Sequence, residues 1–228
     1  MPAKDRTNMT TKTTAPDFCL GDDPTPRIPG FDNRDAGWGG KLHLRLTLGG
    51  MRIRYAYIRK NGCSSFKTAL GYSSTARVSD LARSSRAPLF RRYDATIFVW
   101  RDPVARLVSL YRNKILDRRG AEDILRRYRA RMNEEPTSFE RFVEFAGLQA
   151  DPHCLPQAKH LYPIRYTHAI PLERLHETMS GLVGKDAARP FARRVNASDA
   201  QPVTVSLRAR QMIRSIYAAD YQLIDQLA

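Results

Sequence analysis

The segment Tyr57–Leu70 reads "YIRKNGCSSFKTAL", a glycine-bearing loop set between a strand pattern and a helix pattern. Upstream, Leu42, Leu44, Leu46 and Leu48 alternate with polar residues, which is strand period. Gly49-Gly50 is a two-residue hairpin signal, and a second strand runs from about Arg52 to Ile58 straight into the loop. Downstream, Ser65–Tyr72 predicts a helix and residues 79–92 another helix or a helical turn. The apolar run "ATIFVW", Ala95–Trp100, suits a strand covered on both faces. Asp102 fits a helix N-cap and Pro103 the first helical position. Val104, Leu107, Val108, Tyr111 and Ile115 then form one apolar stripe at helical spacing. Helices are predicted over 121–132, 137–148, 172–183 and 206–227, the last one helix or a pair. Thr137 and Glu140 have capping-box spacing, and 164–170 reads as a strand. Strands alternating with helices predict an α/β fold of three layers, a central mainly parallel sheet flanked by helices. The hairpin adds an antiparallel edge.

Residues 1–38 are rich in Thr, Pro, Asp and Gly and show little periodicity. They read as a loosely packed arm before a single domain spanning 39–228. No apolar run approaches the ~18 residues of a membrane span, and the N-terminus lacks the apolar core of a signal peptide. The expectation is a soluble, cytoplasmic protein. Cys19, Cys63 and Cys154 form no paired motif, which argues for reduced thiols. The net charge of +15 implies an anionic partner: a phosphorylated cofactor, an anionic glycan, nucleic acid or a membrane surface.

Charge alone does not choose among these. A strand, a glycine loop and a helix start make an anion cradle, because backbone N–H groups and the helix dipole favour negative charge there. Ser64 and Ser65 add hydroxyl donors and Lys60 a point charge. A nucleoside-triphosphate loop would read G-x-x-x-x-G-K-[ST]. Here Lys67 and Thr68 are present, but the second glycine is absent. A small-molecule kinase also needs magnesium ligands, and Asp102 is better explained as a helix cap. A second anion site is read from Arg101, at the end of the apolar strand, and Ser109, two helical turns later. Arginine supplies a planar, permanently charged fork suited to phosphate. Two anion sites at two strand-to-helix junctions suit a nucleoside phosphorylated at both ends. The alternatives are a P-loop-like kinase and a non-enzymatic basic protein that binds anionic glycan or nucleic acid.

The pair "RKNGCSSFKTAL" and "FVWRDPVARLVSLYRNKI" resembles the two cofactor signatures of the sulfotransferases. "RDPVARLVSLYRNK" is similar to the R-[DE]-P-x-x-R-L-x-S-x-Y-R-N-K run of the carbohydrate sulfotransferases of the chondroitin/HNK-1 group. "DPHCLPQ" resembles that group's D-x-H-W-x-P-Q segment, and "DYQLI" its terminal helix. The resemblance implies a P-loop-like fold and 3′-phosphoadenosine-5′-phosphosulfate as donor, with 3′,5′-adenosine bisphosphate as product and no metal. It implies a cofactor loop of Lys60, Asn61, Gly62, Cys63, Ser64 and Ser65, with Phe66 stacking on adenine. It also implies a 3′-phosphate pair, Arg101 and Ser109. The implied partner is a carbohydrate or other hydroxyl acceptor, with neither nucleic acid nor a membrane span. Arg59 stands where the family has proline, and Cys154 where it has tryptophan. The absence of a stem fits a bacterial, cytoplasmic member.

In such a transfer the acceptor hydroxyl attacks sulfur in line, and charge builds on the leaving phosphate oxygen. Lys60 is placed to stabilise that charge. A base takes the hydroxyl proton, and His153, in a proline-bounded loop, is the candidate. Asp151 and other carboxylates stay open as alternatives. His153, Cys154 and His160 lack the spacing of a closed zinc site.

Overall fold

The computed structural model describes residue 37, residues 40–192 and residues 202–227. The expected arm, residues 1–38, lies outside the described residues apart from Gly37, and so does Cys19.

Four strands form one sheet in the order β1 (His43–Leu48), β2 (Met51–Ala56), β3 (Ala95–Trp100), β4 (His168–Pro171). β1 and β2 are the antiparallel hairpin predicted from Gly49-Gly50, with Leu48 opposite Met51. Both glycines have positive φ, 54° and 79°, as a tight two-residue turn requires. A side chain at position 49 would also meet the Val183 carbonyl oxygen at 2.1 Å. β2, β3 and β4 are mutually parallel, with Ile53 beside Ala95 and Ile97 beside His168. The carboxyl ends of β2 and β3 therefore lie side by side, and each leads into a loop and a helix.

Period-two alternation sends β2 and β3 side chains to both faces. Tyr55, Tyr57, Ile97 and Val99 pack on one face with Phe66 and Leu81. These two come from α1 (Cys63–Ala69) and α2 (Val78–Ser85). α2 is shorter than its pattern suggested. Arg86 leaves the helix to bridge Leu44, and the Arg54 guanidinium holds the carbonyls of Pro88, Leu89 and Arg91. Ala56, Ile58 and Phe98 face the other side, against Leu161, Tyr166 and Leu223.

A second core joins α3 (Pro103–Tyr111), α4 (Glu122–Met132) and α5 (Phe139–Gly147). α6 (Leu175–Val183) and α7 (Arg189–Ala192) join α1 and α2 on the Tyr55 and Ile97 face of the sheet. α8 (Leu207–Ile216) completes the helical core, and α9 (Ala218–Asp225) reaches back to the sheet through Leu223. Asp102 caps α3 as expected, its Oδ1 accepting from the Ala105 N–H at 2.7 Å. The cap of α5 is Ser138 rather than Thr137, and Glu140 accepts from the Ser206 hydroxyl instead of closing a box. Among the described residues no helix is long and apolar enough to cross a membrane.

Candidate active site

The loop after β2 is bent by two left-handed residues, Lys60 at φ 68° and Gly62 at φ 73°. Gly62 is required twice over. Its φ disfavours any side chain, and a Cβ there would lie 2.9 Å from Leu172 and 3.0 Å from Leu175. Lys60 has no such freedom, so its backbone stores strain that its surroundings must hold. Asn61 and Arg59 supply the hold. The Asn61 amide donates to the Val99 carbonyl at 2.7 Å and to the Gln157 side chain. The Arg59 carbonyl accepts from Arg106 Nε at 3.1 Å.

A cleft of about 690 Å³ opens at the carboxyl ends of β2 and β3. From the first junction Lys60, Gly62, Cys63, Ser64 and Ser65 line it; from the second, Arg101 and Ser109. The structure thus brings the two sequence-predicted anion sites into one cavity. It also adds residues the sequence did not single out. α3 passes into a π-helical turn, Arg112–Leu116, and such turns are frequent at functional sites. This turn sets Arg112 and Asn113 on the cleft, followed by Asp117 and Arg119. The Lys114 ammonium donates to the carbonyls of Arg119 and Gly120, both at 2.7 Å, and closes that loop. The apolar wall is Leu172, Leu175 and Phe191. Arg112 and Asn113 stand in the quoted "YRNK" run, so the signal existed; the apolar wall comes from distant sequence and carried none.

Burial holds the Lys60 ammonium down to about 8; Cys63 pulls the other way, and Lys114 and Arg101 lower it further. A cation crowded by cations in a half-buried cleft is one that an anionic ligand restores. Lys67, the residue a triphosphate loop would need, points elsewhere. Its ammonium donates to the carbonyls of Ser74 and Ala76, at 3.1 and 2.7 Å, and it does not line the cleft.

Three expected site residues stand off the cleft. Phe66 has no exposed surface, and its ring stacks on Tyr55 with centroids 3.5 Å apart. This corrects the adenine-stacking role expected of Phe66, because both the position and the face of the ring are taken by the core. Asn61 is fully buried as well, and acts on the loop rather than in the cavity. His153 is not among the cleft residues. Its Nδ1 hydrogen bonds to Asp151 Oδ1 at 2.7 Å, and its N–H donates to the same oxygen at 2.8 Å. Burial lowers the imidazole to about 4; the Asp151 hydrogen bond opposes that, and Arg59 and Lys114 add to it. Burial alone would raise Asp151, but the hydrogen bonds from His153 and Arg127 outweigh it and hold the carboxyl well below the usual range. The ring is therefore neutral at pH 7, oriented by a carboxylate, with Nε2 left over. Cys154 is wholly buried in the helical core, and its carbonyl accepts from the Tyr217 hydroxyl at 2.8 Å.

Comparison with known families gives a match over residues 47–225 to the model described as "Sulfotransferase family". Comparison with curated proteins and with solved structures gives no match.

Proposed function

Since the chain belongs to the sulfotransferase family, we propose that it moves a sulfuryl group from 3′-phosphoadenosine-5′-phosphosulfate to a hydroxyl of a carbohydrate acceptor. The observation that carries the donor is the single cleft lined by Lys60, Gly62, Ser64 and Ser65 together with Arg101 and Ser109. A nucleoside anionic at both its 5′ and 3′ positions fits a cavity with an anion cradle at each of two adjacent strand ends. The carbohydrate acceptor rests on the likeness of the Arg101–Lys114 run to the carbohydrate group.

The donor supplies an activated sulfur–oxygen bond, and the chain's own residues hold and polarise it. Gly62 and Ser64 offer backbone N–H donors to the 5′ end and Ser64 and Ser65 hydroxyls, the Ser65 N–H being given to the Gly62 carbonyl at 3.0 Å. Arg101 and Ser109 fix the 3′ phosphate. Lys60 faces the charge that grows on the leaving phosphate oxygen, an interaction that strengthens in the transition state. His153, neutral and aligned by Asp151, takes the acceptor proton at Nε2 once the acceptor bridges the ring and the cleft.

The test is calorimetric titration with 3′,5′-adenosine bisphosphate and AMP in the absence of magnesium. The bisphosphate binds more tightly, and Arg101→Ala removes that preference while leaving AMP binding nearly unchanged. Equal affinities in the wild-type protein defeat the donor assignment.

A further inference from the structure

Gln157 lines no part of the cleft and has no exposed surface, yet its side chain meets both anion loops. Its carboxamide holds both backbone groups of Arg101. Oε1 accepts from Arg101 N at 2.9 Å, and Nε2 donates to Arg101 O at 2.8 Å. The same Oε1 accepts from Asn61, the residue between Lys60 and Gly62. Nε2 also donates to Asp220 Oδ2 at 3.3 Å, and Asp220 Oδ1 accepts from Ala158 N at 3.0 Å. Arg106 continues the chain of contacts, its guanidinium 4.0 Å from Asp220 and its Nε on the Arg59 carbonyl.

The contacts form a ring that starts at Asn61 and returns at Arg59, the two neighbours of Lys60. Asn61, Gln157 and Asp220 are 0% exposed and Arg106 is 3% exposed. Apolar side chains would fill this space without desolvating a carboxylate, a guanidinium and two amides. Asn61 Oδ1 is buried without a partner, but every side-chain polar atom of Gln157 and Asp220 at the centre is paired, and a satisfied buried centre fixes geometry. The geometry it fixes here is the relative placement of the Lys60 loop and Arg101.

We propose that Gln157 is a positioning residue that sets the register between the two anion loops, so that recognition of a doubly phosphorylated nucleotide depends on it far more than recognition of either single phosphate. The inference rests on the donor reading above. Each loop alone meets one phosphate wherever it sits. A rigid nucleoside bearing both phosphates demands the correct distance between them, and only the bisphosphate senses the loss of that distance.

The experiment measures affinity for adenosine 3′-phosphate, adenosine 5′-phosphate and the 3′,5′-bisphosphate, with melting temperature, for wild type, Gln157→Met and Gln157→Glu. For Gln157→Met the bisphosphate weakens about tenfold to hundredfold and each monophosphate less than about threefold, the scale of unsatisfied buried hydrogen-bonding groups. Gln157→Glu keeps the acceptor oxygen but loses the donor to Arg101 and sets a carboxylate against Asp220. Its bisphosphate affinity relative to wild type therefore recovers between about pH 8 and about pH 5.5, as the buried carboxyl gains a proton and donates again. The Glu variant carries the test if the Met variant does not fold. Equal losses for all three nucleotides, or a lower melting temperature with the bisphosphate preference intact, overturn the inference. A wild-type protein without that preference defeats the donor reading and this inference together. A wild-type preference that survives in both variants defeats this inference alone.

Discussion

Replacing Lys60 by methionine separates the stability of the loop from its chemistry. The ammonium is held from its ordinary 10.5 down to about 8, first by burial and then by Lys114 and Arg101. Each tenfold change in a protonation constant is about 1.4 kcal/mol, so full burial would make this cation cost the fold about 3 kcal/mol at neutral pH. Lys60 is only partly buried, and solvent screening reduces the cost to about 1–2 kcal/mol. Lys60→Met removes that cost, and the unliganded protein melts about 2–8 °C higher near pH 7. The sign reverses with ligand, because the bisphosphate stabilises the variant less than it stabilises wild type. Between pH 8 and 10.5 the unfolded chain carries a Lys60 proton that the folded chain lacks. Wild-type stability therefore gains from this residue as pH rises through that window, and the variant has no such gain. Single-turnover transfer falls about 10²–10³-fold in the variant, the scale of a lost charge-stabilising donor. The assay is thermal melting with and without 3′,5′-adenosine bisphosphate, paired with transfer from labelled donor. A variant that melts at or below the wild-type temperature, or transfers at the wild-type rate, refutes the reasoning about Lys60.

His153→Ala leaves bisphosphate affinity unchanged and lowers transfer about 10²–10⁴-fold, the range of a lost general base. In wild type the same rate declines as pH falls through about 4, where the ring takes a proton; a wild-type rate in the variant moves the base to another group, with Asp117 of the cleft next to be tried. Burial holds His43 well below its usual range and His160 at about 3, so below pH 6.5 the unfolded chain binds protons that the folded one refuses. With His153 held down to about 4 as well, stability measured by denaturant titration falls between pH 6.5 and 4 by at most about 1.4 kcal/mol per pH unit per histidine, and His160→Gln lowers that slope by about a third. Phe66→Ala costs about 3–5 kcal/mol as a core truncation; lost nucleotide affinity at an unchanged melting temperature would instead mark the ring as a base-stacking group.

The sequence by itself determined the layer order and the two junctions. Alternating leucines, the Gly49-Gly50 turn, the apolar run of β3 and the Asp102-Pro103 cap are local signals, each set by backbone geometry within a few residues. Lys60, Gly62, Ser64, Ser65, Arg101 and Ser109 stand at or just beyond these two junctions, so their place on one cleft follows from the same local signals. Tertiary structure alone decided which side of a surface each ring and amide meets. Phe66 stands one residue past the cradle, but the helix turns it onto Tyr55 and away from the cleft. Lys67 is turned to the Ser74 and Ala76 carbonyls in the same way. Gln157 carried no local sign of its partners, because Asn61, Arg101 and Asp220 lie 96, 56 and 63 residues away along the chain. Hydrogen bonds at that separation exist only after the sheet and the terminal helix have packed, so no periodicity or spacing in the sequence encodes them.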